Sequence, residues 1–159
     1  MTNLYIDMDG VLAKWKTSSD EELHREGYFL GRPAEEKLIA AIKDLMNKED
    51  VEVNILSSFL VTSKYAFTEK HKWLDKYLPE IKRDNRHFIP CGMSKAAYLE
   101  KQLGRKLTET DILIDDYSVN LHTFKAAGGR AIKFLNGING KKGTWKNETC
   151  TADTFGYKF

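Results

Sequence analysis

Tyr5-Ile6-Asp7-Met8-Asp9-Gly10-Val11-Leu12 places two carboxylates, one residue apart, at the end of an apolar run. Far downstream, Ile112-Leu113-Ile114-Asp115-Asp116 repeats the arrangement with two adjacent acids. An acid at the end of a buried strand is costly, and two such ends brought together repel each other unless a cation neutralises them. The four acids Asp7, Asp9, Asp115 and Asp116 therefore predict a metal site.

Outward from these two stretches, strands alternate with helices. Leu4 to Met8 reads as a first strand, and Ala34 to Asn47 as a helix with Pro33 at its start. Val51 to Leu56 is a second strand leading into Ser57 and Ser58, and Lys64 to Tyr77 is an amphipathic helix closed by Pro79. A short strand at His87 to Ile89 precedes a helix from Ser94 to Leu103, which Gly104 ends. Asp111 to Ile114 is the fourth strand, Ser118 to Ala127 a helix, and Ala131 to Phe134 the fifth strand. The tail from Asn136 is rich in Gly, Asn, Lys and Thr and has no clear period. Such alternation predicts a parallel sheet covered on both faces, because parallel neighbours need crossover connections. In sheets of this kind the ligand crevice lies beyond the carboxyl ends of the strands. Asp7 and Asp9, Ser57 and Ser58, and Asp115 and Asp116 all fall at that end.

Composition narrows the functional classes. A chain of 159 residues is read as one domain over 1–159, with no repeat and no linker. A net charge of +2 gives no reason to expect general nucleic-acid binding. Cys91 and Cys150 are too few and too far apart for a metal cluster or a disulfide scaffold, so a reduced, cytoplasmic protein is expected. The first apolar run is broken by Asp7 and Asp9, unlike a secretory leader, and no run approaches a membrane span. An EF-hand is excluded, since Gly10 stands fourth from Asp7 where the sixth is required and position twelve is Ser18.

Asp7-Met8-Asp9-Gly10-Val11, the serine after the second strand, a lysine opening a later helix and Asp115-Asp116 after the fourth strand resemble, in order and context, the four motifs of the haloacid dehalogenase-like hydrolase superfamily. The resemblance covers about residues 3 to 135. Within it, DMDGVLAKW (7–15), ILSS (55–58), KHKWLDKYLP (70–79) and LIDDYSVN (113–120) look most like the small 5'-nucleotidases of the deoxyribonucleotidase type. The resemblance implies a Rossmann-like α/β/α sandwich with a five-stranded parallel sheet of order 5-4-1-2-3. It implies that Asp7 attacks phosphorus to form an aspartyl-phosphate, and that Asp9 serves as general acid and then general base. A Mg²⁺ ion would be held by the Asp7 carboxylate, the Asp9 backbone carbonyl and one acid of the pair Asp115 and Asp116, the other acting through water or orienting the loop. Ser57, with Ser58, and Lys95 would hold the phosphoryl group; Lys101 and Lys106 are the alternatives to Lys95. Asn120 would tie the last turn together.

Substrate choice depends on the segment beyond the first strand. The interval from Asp7 to Ser57 is short, and after the helix and strand are subtracted residues 14–32 remain as a minimal cap, smaller than that of the nucleotidases it resembles. Trp15, Tyr28 and Phe29 either form an aromatic face for a nucleobase or staple this segment to the core. Lys14 and Arg32 meet a phosphate or face water. Trp73 and Phe124 read as core, Cys91 as a buried strand-end thiol, and the four histidines have no metal-like spacing. Trp145 and the aromatics near residue 159 would pack across the sheet edge or the site mouth. The preferred activity is Mg²⁺-dependent hydrolysis of a small phosphomonoester, a nucleoside 5'-monophosphate first. The alternatives are a phosphatase or phosphotransferase for a larger substrate, such as a nucleic-acid end or a phosphoprotein, and a non-catalytic binding module.

Overall fold

The computed structural model describes residues 1–139 and 142–159. Five strands are joined by crossovers: β1 (Thr2–Ile6), β2 (Val51–Phe59), β3 (Arg86–Pro90), β4 (Asp111–Asp115) and β5 (Arg130–Phe134). The helices α1 (Asp20–Leu23) and α2 (Glu36–Leu45) precede β2, α3 (Ala66–Tyr77) precedes β3, α4 (Lys95–Leu103) precedes β4, and α5 (Ser118–Ala126) precedes β5. A two-residue β6 (Thr149–Cys150) completes a parallel sheet ordered β3-β2-β1-β4-β5-β6. The sheet is therefore six-stranded, in place of the five-stranded order 5-4-1-2-3 expected from the sequence, and the difference is β6, added outside β5. Two residues in an unpatterned tail carry no readable period; they pair because β5 offers them an open edge.

Side-chain alternation divides the core into two layers. Leu4, Ile6, Ile112 and Ile114 pack against Leu38 and Ile42 of α2 and Trp73 and Leu74 of α3. On the opposite face Tyr5, Leu56 and Leu113 meet Leu99 of α4 and Leu121 and Phe124 of α5. Apolar residues facing both ways are what a parallel sheet covered on two sides demands. Trp73 and Phe124 lie in the core as expected.

Several boundaries differ from the sequence reading, each for a tertiary reason. The helix expected from Ala34 begins at Glu36, because Ala34 pairs with Ala13 in an isolated bridge. The second strand runs three residues past Leu56, since β3 supplies Phe88, Ile89 and Pro90 as partners for Ser57, Ser58 and Phe59. Cys91, expected as a buried thiol, is exposed, because the turn after Pro90 carries it out of the sheet. The tail packs along the sheet edge: Trp145 is buried in the layer with α5, whereas Cys150 and Phe155 join the layer with α2.

The segment 14–32 holds only α1 as regular structure, and α3 anchors it. The buried Glu69 carboxylate accepts the backbone N–H groups of Gly27, Phe29 and Leu30 at 2.5, 3.0 and 3.3 Å. One turn on, Trp73 Nε1 donates to the Arg32 carbonyl at 2.8 Å. Glu69→Ala leaves three amides without their acceptor and is expected to destabilise the protein by on the order of 2 kcal/mol. Urea unfolding measures the loss, and amide exchange at Phe29 and Leu30 should quicken; unchanged exchange there would mean that other contacts hold the segment.

Candidate active site

Register brings the acids together. Ile6 of β1 pairs with Ile114 of β4, and the ladder continues one residue further as Asp7 N–H donates to the Ile114 carbonyl at 3.0 Å. Asp7 and Asp115 thus leave adjacent strands side by side. The carboxylates of Asp7, Asp115 and Asp116 each offer an oxygen within 4.8 Å of the others, and all three residues are buried. The Asp9 side chain stands outside this group.

Beyond Asp7 the chain folds into a tight turn in which Gly10 N–H donates to the Ala13 carbonyl at 2.8 Å and Ala13 N–H to that of Met8 at 2.9 Å. Gly10 has a φ of +80°, and a Cβ there would lie 2.2 Å from Asp116 Oδ2. Glycine is required on both counts.

Lys95 opens α4, whose N-cap Ser94 accepts from Ala97 N–H, and its side chain is buried. Its Nζ lies 2.6 Å from Asp115 Oδ2 and 3.0 Å from Asp7 Oδ1. Burial weakens its hold on the proton, but Asp115 and Asp7 outweigh that and raise Lys95 above the ordinary lysine range. Of the three lysines named from the sequence, Lys95 is the one that stands beside the acids; Lys101 is exposed and Lys106 pairs with Glu100 at the surface.

The two adjacent acids differ in their partners. Asp115 Oδ2 accepts from Lys95 and from Asn120 at 2.9 Å, and Oδ1 accepts the Tyr117 N–H at 2.8 Å. Burial pushes the Asp115 carboxyl upward and Lys95 opposes the push. Asp116 Oδ2 accepts from Asn136 at 3.0 Å and Asn139 at 3.1 Å, while its Oδ1 has no donor among the described residues. Burial, then the charges of Asp7 and Asp115, push Asp116 up to about 7. Lys133 pins the turn from behind, donating to the Asp116 carbonyl at 2.6 Å and to Ser118 Oγ at 2.9 Å.

A cavity of about 480 Å³ opens above Asp7, Asp9, Ser58 and Lys95, with Met93 and Tyr117 on its rim. A smaller one of about 130 Å³ shares Asp9 and Ser58 and is walled by Trp15, Phe29, Phe59 and Leu60. Of the three aromatics named from the sequence, Trp15 and Phe29 line this apolar cavity. Tyr28 does not: its hydroxyl pairs with Ser18 Oγ at 2.7 Å and its ring lies under Arg32. Ser57 is buried and, unlike Ser58, lines neither cavity, and Lys14 is exposed.

Sequence reasoning missed Lys70, whose buried Nζ donates to Asp9 Oδ2 at 2.5 Å and to Ser57 Oγ at 3.2 Å. The available signal was its spacing, three and four residues before Trp73 and Leu74, which sets a lysine on the apolar stripe of α3. Asn136 and Asn139 were missed as well, in a stretch without periodicity.

No family model and no curated protein matches the chain. Its shape does match solved structures. The D,D-heptose 1,7-bisphosphate phosphatase from B. bronchiseptica, determined with magnesium and phosphate, aligns with a TM-score of 0.67 at 15% identity over 94% of this chain and 92% of that one. The D,D-heptose 1,7-bisphosphate phosphatase from Burkholderia thailandensis aligns with a TM-score of 0.68 at 15% identity, covering 100% of this chain and 98% of that one. This likeness, with the sheet order, shows that the chain shares the fold of these two proteins, a parallel α/β sheet covered by helices on both faces.

Proposed function

We propose that the chain is a Mg²⁺-dependent phosphomonoester hydrolase working through an aspartyl-phosphate on Asp7, built as one domain over 1–159 with residues 14–32 as a minimal cap. The observation that carries this reading is the buried trio Asp7, Asp115 and Asp116, of which Asp7 lines an open cavity, against one buried Lys95. Three carboxylates so close repel one another, Lys95 offsets only part of that charge, and an all-oxygen donor set with few protein ligands suits Mg²⁺. Asp7 and Asp116 would ligate through their carboxylates, because Asp116 keeps Oδ1 without a donor whereas both Asp115 oxygens are engaged. The Asp9 carbonyl would complete the protein's share. Bound there, the ion neutralises the phosphoryl oxygens.

The residues of the chain supply the rest. Asp7, held by Lys95, attacks phosphorus; the ester P–O bond breaks and Asp9 gives its proton to the leaving oxygen. Water then attacks the phosphoryl group, Asp9 takes up its proton, and phosphate departs with Asp7 restored. Ser58, at the cavity, and Lys95 bind phosphoryl oxygens, while Ser57 is buried against Lys70.

The substrate is a small phosphomonoester, and a nucleoside 5'-monophosphate is the finer reading. The apolar cavity beside Asp9 suits a flat ring better than a polyol. The lysines lining the two cavities, Lys95 and Lys70, are both engaged by acids, which leaves no cation there, among the described residues, for a second phosphate. No helix among the described residues is long and apolar enough to cross a membrane, which suits action on a soluble ester in the cytoplasm.

Phosphate release from ribo- and deoxyribonucleoside 5'-monophosphates, sugar mono- and bisphosphates, phosphorylated oligonucleotides and an aryl phosphate, with Mg²⁺ or chelator, tests the reading. Mg²⁺-dependent release with a nucleotide preference is expected. Preference for sugar phosphates would keep the hydrolase and discard the nucleotidase, preference for oligonucleotides would move the substrate to nucleic-acid ends, and no release from any would leave a binding module.

The metal also sets a pH dependence. Without it, between the ordinary carboxylate range and about 7, the folded protein keeps a proton on Asp116 that the unfolded chain has lost. Stability of the metal-free protein therefore falls as pH rises through that window, while Mg²⁺, which displaces the proton, binds more tightly. The rise in melting temperature on adding Mg²⁺ should grow from about pH 5 to about pH 8; a rise independent of pH would exclude Asp116 as a ligand.

A further inference from the structure

Lys70 sits on α3 with a side chain 1% exposed, yet it stands apart from the trio of acids and from Lys95. A lysine this deep is costly unless its charge is paired. Its partners are few and specific: Asp9 Oδ2, Ser57 Oγ, and the face of Phe29 with Nζ 5.2 Å from the ring centre. Phe29 is held in place by its own N–H on Glu69, the preceding residue of α3. One helix therefore fixes the short cap with one residue and reaches under it to Asp9 with the next.

The two buried lysines divide the acids between them. Lys95 takes Asp7 and Asp115, and Lys70 takes Asp9 alone. Asp9 is one-quarter exposed, lines both cavities, and is engaged only through Oδ2, so Oδ1 has no donor among the described residues. A carboxylate free to rotate at the end of a turn would present either oxygen in many orientations; one tethered at Oδ2 presents Oδ1 in one.

We propose that Lys70 is a positioning residue, which tethers Asp9 by one oxygen and ties it to Ser57 so that the other oxygen meets the leaving group of the phosphoester. The inference rests on the hydrolase reading above and assigns Lys70 no contact with substrate. It makes a prediction that a structural ion pair or a phosphate-binding lysine does not. An alkoxide leaves poorly without a proton, whereas a nitrophenolate leaves well without one, so a loss confined to proton delivery falls on alkyl esters.

The experiment compares wild type, Lys70→Met, Lys70→Gln and Lys70→Arg on an alkyl phosphate, deoxyuridine 5'-monophosphate or glycerol 2-phosphate, and on 2,4-dinitrophenyl phosphate, with thermal melts in parallel. Lys70→Met is expected to lower kcat on the alkyl ester by on the order of 10²- to 10³-fold, and on the dinitrophenyl ester by less than about 10-fold, with KM little changed. Lys70→Arg, which keeps the charge, should recover part of the alkyl activity. Equal losses on both esters would overturn the proposal in favour of a structural pair, and a raised KM at unchanged kcat would overturn it in favour of a phosphate ligand. Should Lys70→Met fail to fold, the alkyl-to-aryl ratio in Lys70→Gln and Lys70→Arg decides in the same way. A wild type inactive on every ester overturns the hydrolase reading itself, an outcome distinct from an active wild type whose ratio the variants leave unchanged.

Discussion

Asp7→Asn should remove phosphate release, by on the order of 10⁴-fold or more, while leaving the protein folded. The amide keeps the size of the carboxyl but cannot attack phosphorus, and no other carboxylate occupies its place: Asp9 is held by Lys70, and Asp115 is enclosed by Lys95, Asn120 and the Tyr117 amide. The same change takes one negative charge out of a buried cluster in which Asp7 raises both Asp115 and Asp116. Metal-free Asp7→Asn protein should therefore melt no lower than wild type, and Mg²⁺ should raise its melting temperature less. Acid-quenched wild type mixed with substrate should carry one added phosphoryl group by mass on the peptide containing Asp7, and the variant none. Turnover retained in Asp7→Asn would discard the covalent route.

Gly10→Ala is expected to be severely damaging although it replaces no charged residue. Its Cβ would stand 2.2 Å from Asp116 Oδ2, 2.8 Å from Asp116 Cγ and 2.9 Å from Asn136 Nδ2, so the acid and the amide that holds it must both move. Alanine at a φ of +80° costs a further ~1–2 kcal/mol in the backbone. Gly27, with a φ of +83° and nothing within 4 Å of the added carbon, supplies the control, since Gly27→Ala carries the backbone strain alone. Both variants should lose stability, but only Gly10→Ala should lose the Mg²⁺-induced rise in melting temperature, together with activity by on the order of 10²-fold. Equal responses to Mg²⁺ in the two would show that Asp116 does not depend on this turn.

The sequence carries the acid-ended strands openly because apolar runs and paired acids are local patterns, and a parallel sheet then brings Asp7 and Asp115 together by register alone. Lys95 is legible for a related reason, as the first residue of a helix whose N-terminus faces the strand ends. Lys70 is not, because its pairing with Asp9 depends on how α3 crosses the end of β1, a tertiary angle with no local signature. Asn136 and Asn139 reach Asp116 from a tail that has no period, and β6 exists only in answer to the edge of β5. Of the aromatic trio, Tyr28 points away from the cavity that Trp15 and Phe29 line, a distinction the composition of the segment cannot make. Ser57 and Ser58 read as lying beyond their strand because the ladder that extends β2 is supplied by β3.

The short β6 ties two liabilities into one event on heating. It pairs with Lys133 and Phe134 of β5 and is held by Trp145 below one face of the sheet and Phe155 below the other. The same tail begins with Asn136 and Asn139, the amides that Asp116 depends on. When the tail frays, the outer strand of the sheet is bared as a template for another copy just as the acid loses its partners. Thermal inactivation and edge-to-edge aggregation should therefore set in together, and a ligand that steadies Asp116 should delay both.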